Sequence, residues 1–137
     1  MNGVIKARLI LESRKEIVPL LGEVLGIHPS TFRTEFPPTS IAPPYWKTEI
    51  IQESESVSDV FRLLQNRIAP KLEAIQEVCR HYQIVPLVMI VLVADFEHRP
   101  FVDFTPEQIS FLEKLGAELI LDLESVFPDP VDVSEDE

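Results

Sequence analysis

A chain of 137 residues with 45% hydrophobic content sits near the commonest single-domain size. It carries enough apolar side chain to offset the entropy of ordering one core, which argues against a disordered chain or two independent domains. Its formal charge of −11 and pI near 4.7 oppose phosphate backbones and anionic headgroups, so neither nucleic acid nor a membrane surface is an expected partner. The single cysteine, Cys79, permits neither an intrachain disulfide nor a cysteine zinc site. Met1 to Lys6 lacks a leader pattern and the apolar stretch Ile84 to Ala94 is too short for a bilayer, so the expected location is the cytoplasm.

Val4, Ile5, Ala7, Leu9, Ile10 and Leu11 make a partly alternating apolar run that predicts a first strand, with Lys6, Arg8 and Glu12 on its wetter face. Ser13 as a cap, Glu16 three residues on, and Ile17, Leu20, Leu21, Val24 and Leu25 at helical spacing predict a helix over about 14–25, ended by Gly26. Pro19 falls near its start, which favours a late beginning or a kink.

Between His28 and Pro44 five prolines break every periodicity, which predicts a long loop of functional interest. Tyr45 to Ile51 then alternates as a half-buried second strand does. Ser56 caps a stripe running Val57, Val60, Phe61, Leu64, Ile68, Leu72, Ile75, Val78, Cys79 and Tyr82. The stripe keeps phase through Pro70, which predicts a long helix kinked there, or two abutting helices with Pro70 in the first turn of the second. Residues 84–94 are β-branched and apolar on both faces, as in a central strand, the most buried element expected.

Asp95 to Asp103 reads as a polar turn. Thr105-Pro106-Glu107-Gln108 then has the cap, proline and early acid of a helix start, with Ile109, Phe111, Leu112 and Leu115 behind it and Gly116 as its stop. Glu118 to Leu123 predicts the last strand. The expected fold is α+β: a two-layer sandwich of about four strands, mixed or antiparallel, with three helices mainly on one face. One domain spans 1–127, and 128–137 forms an acidic tail expected to be disordered; that tail carries five carboxylates and no cation, leaving −6 on the rest.

Leu25-Gly26-Ile27-His28-Pro29-Ser30-Thr31, Trp46 opening the second strand, and Leu115-Gly116-Ala117-Glu118-Leu119-Ile120-Leu121-Asp122-Leu123 together resemble an uncharacterised bacterial family, domain of unknown function 4279. The resemblance runs in order over about 4–124. Family members often carry a glycine shortly after the region equivalent to 31–33, where this chain reads Phe32-Arg33-Thr34-Glu35-Phe36. Some members look like cytoplasmic immunity proteins that neutralise a toxin, so the resemblance implies a binding role.

Catalytic chemistry has little to stand on. His28, His81 and His98 lack the spacing that puts two ligands on one helix face, so no metal is expected. Glu12, Glu16, Asp95, Glu97, Asp103, Glu118 and Asp122 supply carboxylates, with no pair singled out by sequence. The motifs of serine and cysteine nucleophiles are missing, Cys79 lies on an apolar stripe, and four ungrouped glycines make no phosphate loop, so no cofactor and no enzyme activity are expected.

The candidate interaction residues are Phe32, Arg33, Phe36, Tyr45 and Trp46, because aromatic and Arg side chains dominate interface energetics. The bland alternative is that Trp46 and Phe36 pin the loop to the sheet. Asp122 interrupts an apolar run and is expected to be a structural strand-edge carboxylate that bonds backbone donors or an arginine. The expected function is a non-catalytic protein-interaction module, immunity-type in its sharpest form, meeting a basic partner. The alternative is a small-molecule-binding or regulatory domain acting as a homodimer.

Overall fold

The strand alternation seen in Val4 to Leu11 sets the centre of the sheet. In the computed structural model, which describes residues 3–26, 31–33 and 43–124, β1 (Val4–Glu12) pairs antiparallel with β3 (Tyr45–Glu53) on one side and with β4 (Leu87–Val93) on the other. A three-residue β2 (Thr31–Arg33) adds antiparallel to β3, and β5 (Glu118–Glu124) adds parallel to β4. The order is β2-β3-β1-β4-β5, four long strands and one short in a mixed sheet, and the α+β expectation holds.

Register fixes the two faces. Ile5, Ala7, Leu9 and Leu11 of β1 are fully buried, beside Trp46 and Thr48 of β3 and Val88 and Ile90 of β4. Because side chains alternate along a strand, Lys6, Arg8, Lys47, Glu49 and Met89 fall on the opposite face. The apolar face is covered by α1 (Val18–Leu25), α2 (Val57–Ile68), α3 (Leu72–Tyr82) and α4 (Pro106–Leu115), whose buried residues join the same core. β4 is interior rather than central: β1 lies between it and β3.

The helix starts follow their local chemistry. Ser56 accepts from the Asp59 backbone N–H to cap α2. Thr105 and Gln108 close a reciprocal capping box on α4, with Pro106 in its first turn. α1 corrects the expectation of 14–25. Its cap position is Ile17, with no side-chain bond, and Ser13 instead donates its N–H to the Pro44 carbonyl. Pro19 sits in the first turn, where its missing N–H costs nothing, and an earlier start would have set its ring against a helical carbonyl. Pro70 acts as expected, with α2 and α3 abutting through a 3-10 turn over Ala69–Lys71.

Two backbone positions constrain the ends. A side chain on Gly3 would place its Cβ 2.7 Å from the Ala94 Cβ and 3.0 Å from the His98 carbonyl oxygen, so the start of β1 and the chain after β4 approach too closely for any larger residue. α3 ends on Gln83 in the left-handed region, φ 58°, a conformation usually left to glycine or asparagine.

A buried polar clamp joins α4 to α2. Gln108, 2% exposed, donates from Nε2 to the Ser58 carbonyl at 3.0 Å and accepts from the Ser58 hydroxyl at 3.0 Å, while its Oε1 also accepts from the Thr105 N–H. Asp103 accepts from the Ser56 hydroxyl and the Ser58 N–H, placing a carboxylate at the positive end of α2. Gln108→Leu leaves the buried Ser58 hydroxyl without its partner and removes the second bond to the Ser58 carbonyl, and is expected to cost about 1–3 kcal/mol. Urea unfolding with an unchanged slope is the measurement, and wild-type stability would show that the clamp is dispensable.

Candidate functional site

Of the residues singled out by sequence, Phe32, Arg33, Tyr45 and Trp46 lie on adjacent strands at one end of the sheet, and Asp122 lies on the opposite edge strand. β2 pairs Phe32 with Trp46 and Arg33 with Tyr45, while Phe36 lies outside the described residues. Trp46 is 1% exposed and belongs to the core, so its ring pins β3 against the helices. Its indole N–H finds no acceptor among the described residues. Tyr45 is half-buried opposite Glu12.

Trp46→Ala should therefore cost about 3–5 kcal/mol of stability. Trp46→Phe should cost markedly less, because it removes the unpaired donor along with part of the ring. Thermal unfolding of the two variants checks this, and an alanine variant that melts with the wild type would return Trp46 to the surface.

Behind that end lies a cleft of about 750 Å³ between the end of β1 and the end of α3, lined by Glu12, Arg14, Pro44, His81, Tyr82 and Gln83 among others. The His81 and Tyr82 rings meet edge to face with centroids 4.6 Å apart. Arg14 pairs with Glu16 at 3.4 Å in solvent, a contact of little energy.

On the uncovered face, Arg8 pairs with Glu49, Lys47 stands 4.0 Å from the same carboxylate, and the Arg8 guanidinium reaches the Met89 sulfur at 3.7 Å. Arg67 of α2 instead donates to the Thr48 hydroxyl and the Glu49 carbonyl, both at 3.1 Å, tying helix to strand. These cations are held by structural partners.

Other titratable groups take local roles. Asp95 accepts from the His98 N–H at 2.8 Å and lies 2.6 Å from its Nδ1. Partial burial pushes its pKa up, but the hydrogen bonds and charge of His98 outweigh that and hold it below the ordinary aspartate value. The contribution of this turn to stability is therefore present above the ordinary aspartate pKa and is lost as pH falls through the lowered one. Burial pushes the Cys79 thiol up to about 11, so at neutral pH it is protonated and a poor nucleophile. Among the described residues no three of His, Cys, Asp and Glu come together in a metal-holding group, and no helix is long and apolar enough to cross a membrane.

The outer edge is different in kind. All seven residues of β5 are exposed, and Leu119, Ile120, Leu121 and Leu123 each keep 40–49% of their surface in solvent. Register divides them: Leu119, Leu121 and Leu123 stand beside the core residues Val88, Ile90 and Leu92, on the helix side. Glu118, Ile120, Asp122 and Glu124 stand beside Leu87, Met89, Val91 and Val93 on the other side. Asp122 makes no ion pair or hydrogen bond among the described residues, so the arginine or backbone partner expected for it is not in place there. Sequence reasoning named the strand but not its exposure, since an apolar run reads alike whether the strand is covered or bare.

An α+β domain whose outer strand β5 is exposed along its whole length is thus the class defined by the fold. Residues 21–126 match the family model described as domain of unknown function (DUF4279), and the chain belongs to that family. Neither a curated protein nor a solved structure matches it.

Proposed function

We propose that the chain is a non-catalytic protein-interaction module whose partner is a basic protein. The observation that carries this reading is β5: a seven-residue edge strand, exposed throughout, with four large apolar side chains and three carboxylates. Exposed apolar strands of this length are an aggregation hazard that soluble proteins normally cover or blunt, and a patch rimmed by charge marks an interaction surface. The net charge of −11 adds steering toward a cationic partner, which raises association rate and makes it sensitive to salt. In its sharpest form the role is immunity-type, with the partner a basic toxin held in an inactive complex.

A second reading has one observation in its favour. The 750 Å³ cleft beside His81 and Arg14 is within the size range of small-ligand sites and would suit a regulatory domain acting as a homodimer. A ligand there would raise the melting temperature, because binding only the folded state stabilises it by mass action.

Affinity capture with the tagged protein from the source organism's lysate, at low and raised salt, separates the two readings. The interaction reading predicts a stoichiometric basic protein that is released as salt rises, and co-expression that suppresses the partner's toxicity would give the immunity form. Empty capture at both salts, together with a thermal shift in a metabolite panel, would replace it with the cleft reading. Arg33 lies on β2, at the opposite edge of the sheet from β5, so Arg33→Glu should weaken capture at unchanged melting temperature only if the partner contacts β2 rather than β5, and undiminished capture excludes Arg33 from the contact.

A further inference from the structure

We propose that β5 is the docking edge itself and that its occupant is an extended segment with alternating basic and apolar side chains, added as a further strand of the sheet. This rests on the interaction reading above and specifies the place, the geometry and the chemistry of the contact.

The geometry begins with the backbone. Among the described residues β5 has β4 as its one neighbour in the sheet, so every second N–H and C=O along its outer side is free of them and open to a new strand. Apart from its three carboxylates, the devices that usually close an edge are missing from it: Glu118 to Glu124 runs seven residues in unbroken register with β4 and contains no proline. An added strand would lay alternate side chains on the two faces of the sheet. One set would meet Leu119, Leu121 and Leu123 beside the core, and the other would meet Glu118, Asp122 and Glu124.

Charge selects the occupant. A second copy pairing antiparallel about a twofold axis must match like face to like face, which leaves few registers. Centred on Leu121, Glu118 meets Glu124 twice and Asp122 faces Ile120. Centred on Ile120, Glu118 meets Asp122, and centred on Asp122, that carboxylate meets itself. Each register places like charges opposite one another, which is destabilising. Residues 128–137 of this chain carry five carboxylates and no cation, so they are the wrong chemistry as well. A strand reading basic-apolar-basic-apolar satisfies both faces, with cations on the three carboxylates and apolar side chains extending the leucine row. Strand addition of this kind takes affinity from main-chain hydrogen bonds and specificity from the alternate side chains.

The test uses the full chain and a labelled peptide of the length of β5 that alternates Lys and Val. One control alternates Glu and Val, and another has the Lys and Val of the probe segregated into two blocks. Fluorescence anisotropy should show the alternating Lys-Val peptide binding at least about tenfold more tightly than either control and weakening with salt. Amide hydrogen exchange of the wild-type complex should show new protection at alternate residues of β5. The double substitution Glu118→Lys with Asp122→Lys, at two exposed positions, should reverse the preference toward the Glu-Val peptide.

Equal binding of the alternating and segregated Lys-Val peptides, or protection that falls elsewhere, overturns the proposal without any variant being needed. If a captured basic protein binds the double variant as well as the wild type, the interaction reading stands and the β5 assignment fails. If no peptide binds and capture is empty, both fail.

Discussion

Everything in this fold is arranged around the two-sided pairing of β1. It is hydrogen-bonded along nearly its whole length to β3 and to β4, and its helix-side residues Ile5, Ala7, Leu9 and Leu11 have no exposed surface at all. A shift of one residue in either register would turn those four side chains outward and bring Lys6, Arg8 and Ile10 into the core. The alternation of β1 therefore fixes the registers of its neighbours, and the helices pack where the apolar face lies. Gly3 shows how tight the arrangement is at one end, since even a methyl group there would collide with Ala94.

One helix layer covers one face, and it does not reach the end of the sheet. α2 and α4 are locked together by Gln108 and Ser58, over a core in which Phe61 meets Phe104 and Phe111 edge to face. β4 contributes Val88 and Ile90 to that core, fully buried, whereas the residues beside them on β5, Leu119 and Leu121, are 40% and 48% exposed. The apolar surface of the sheet thus continues one strand beyond its cover. Glu118, Asp122 and Glu124 lie on the other side of the same strand, where like charges directly opposite one another on paired strands are destabilising.

Much of this was legible in the sequence, for reasons that are local. Period-two alternation marks β1 and β3, the Ser56 and Thr105 caps mark α2 and α4, and Pro70 in an unbroken apolar stripe marks the junction of α2 and α3, because each signal rests on residues a few positions apart. β2 escaped because a three-residue strand between prolines has no period to read. The late start of α1 was open in Pro19, but the pairing of Ser13 with Pro44 is non-local and left no trace. Gln108 was legible as part of a helix start, and its second role, holding Ser58, depends on a residue 50 positions away. The candidate site divides in the same way. An aromatic at the start of an alternating strand suits anchor or contact alike, and burial places Trp46 in the core; Asp122 breaks an apolar run, but only strand order reveals that it stands on the outermost strand among the described residues.

Native-state amide hydrogen exchange on the free protein, at low and high protein concentration, tests most directly whether β5 is an open edge on a sheet organised by β1. The account predicts the slowest exchange along β1 and fast exchange at alternate residues of β5, unchanged by concentration, because outward-pointing amides there have no acceptor. Protection along the whole of β5, or protection that appears as concentration rises, would contradict it. The edge would then be covered already, by the chain itself or by a second copy.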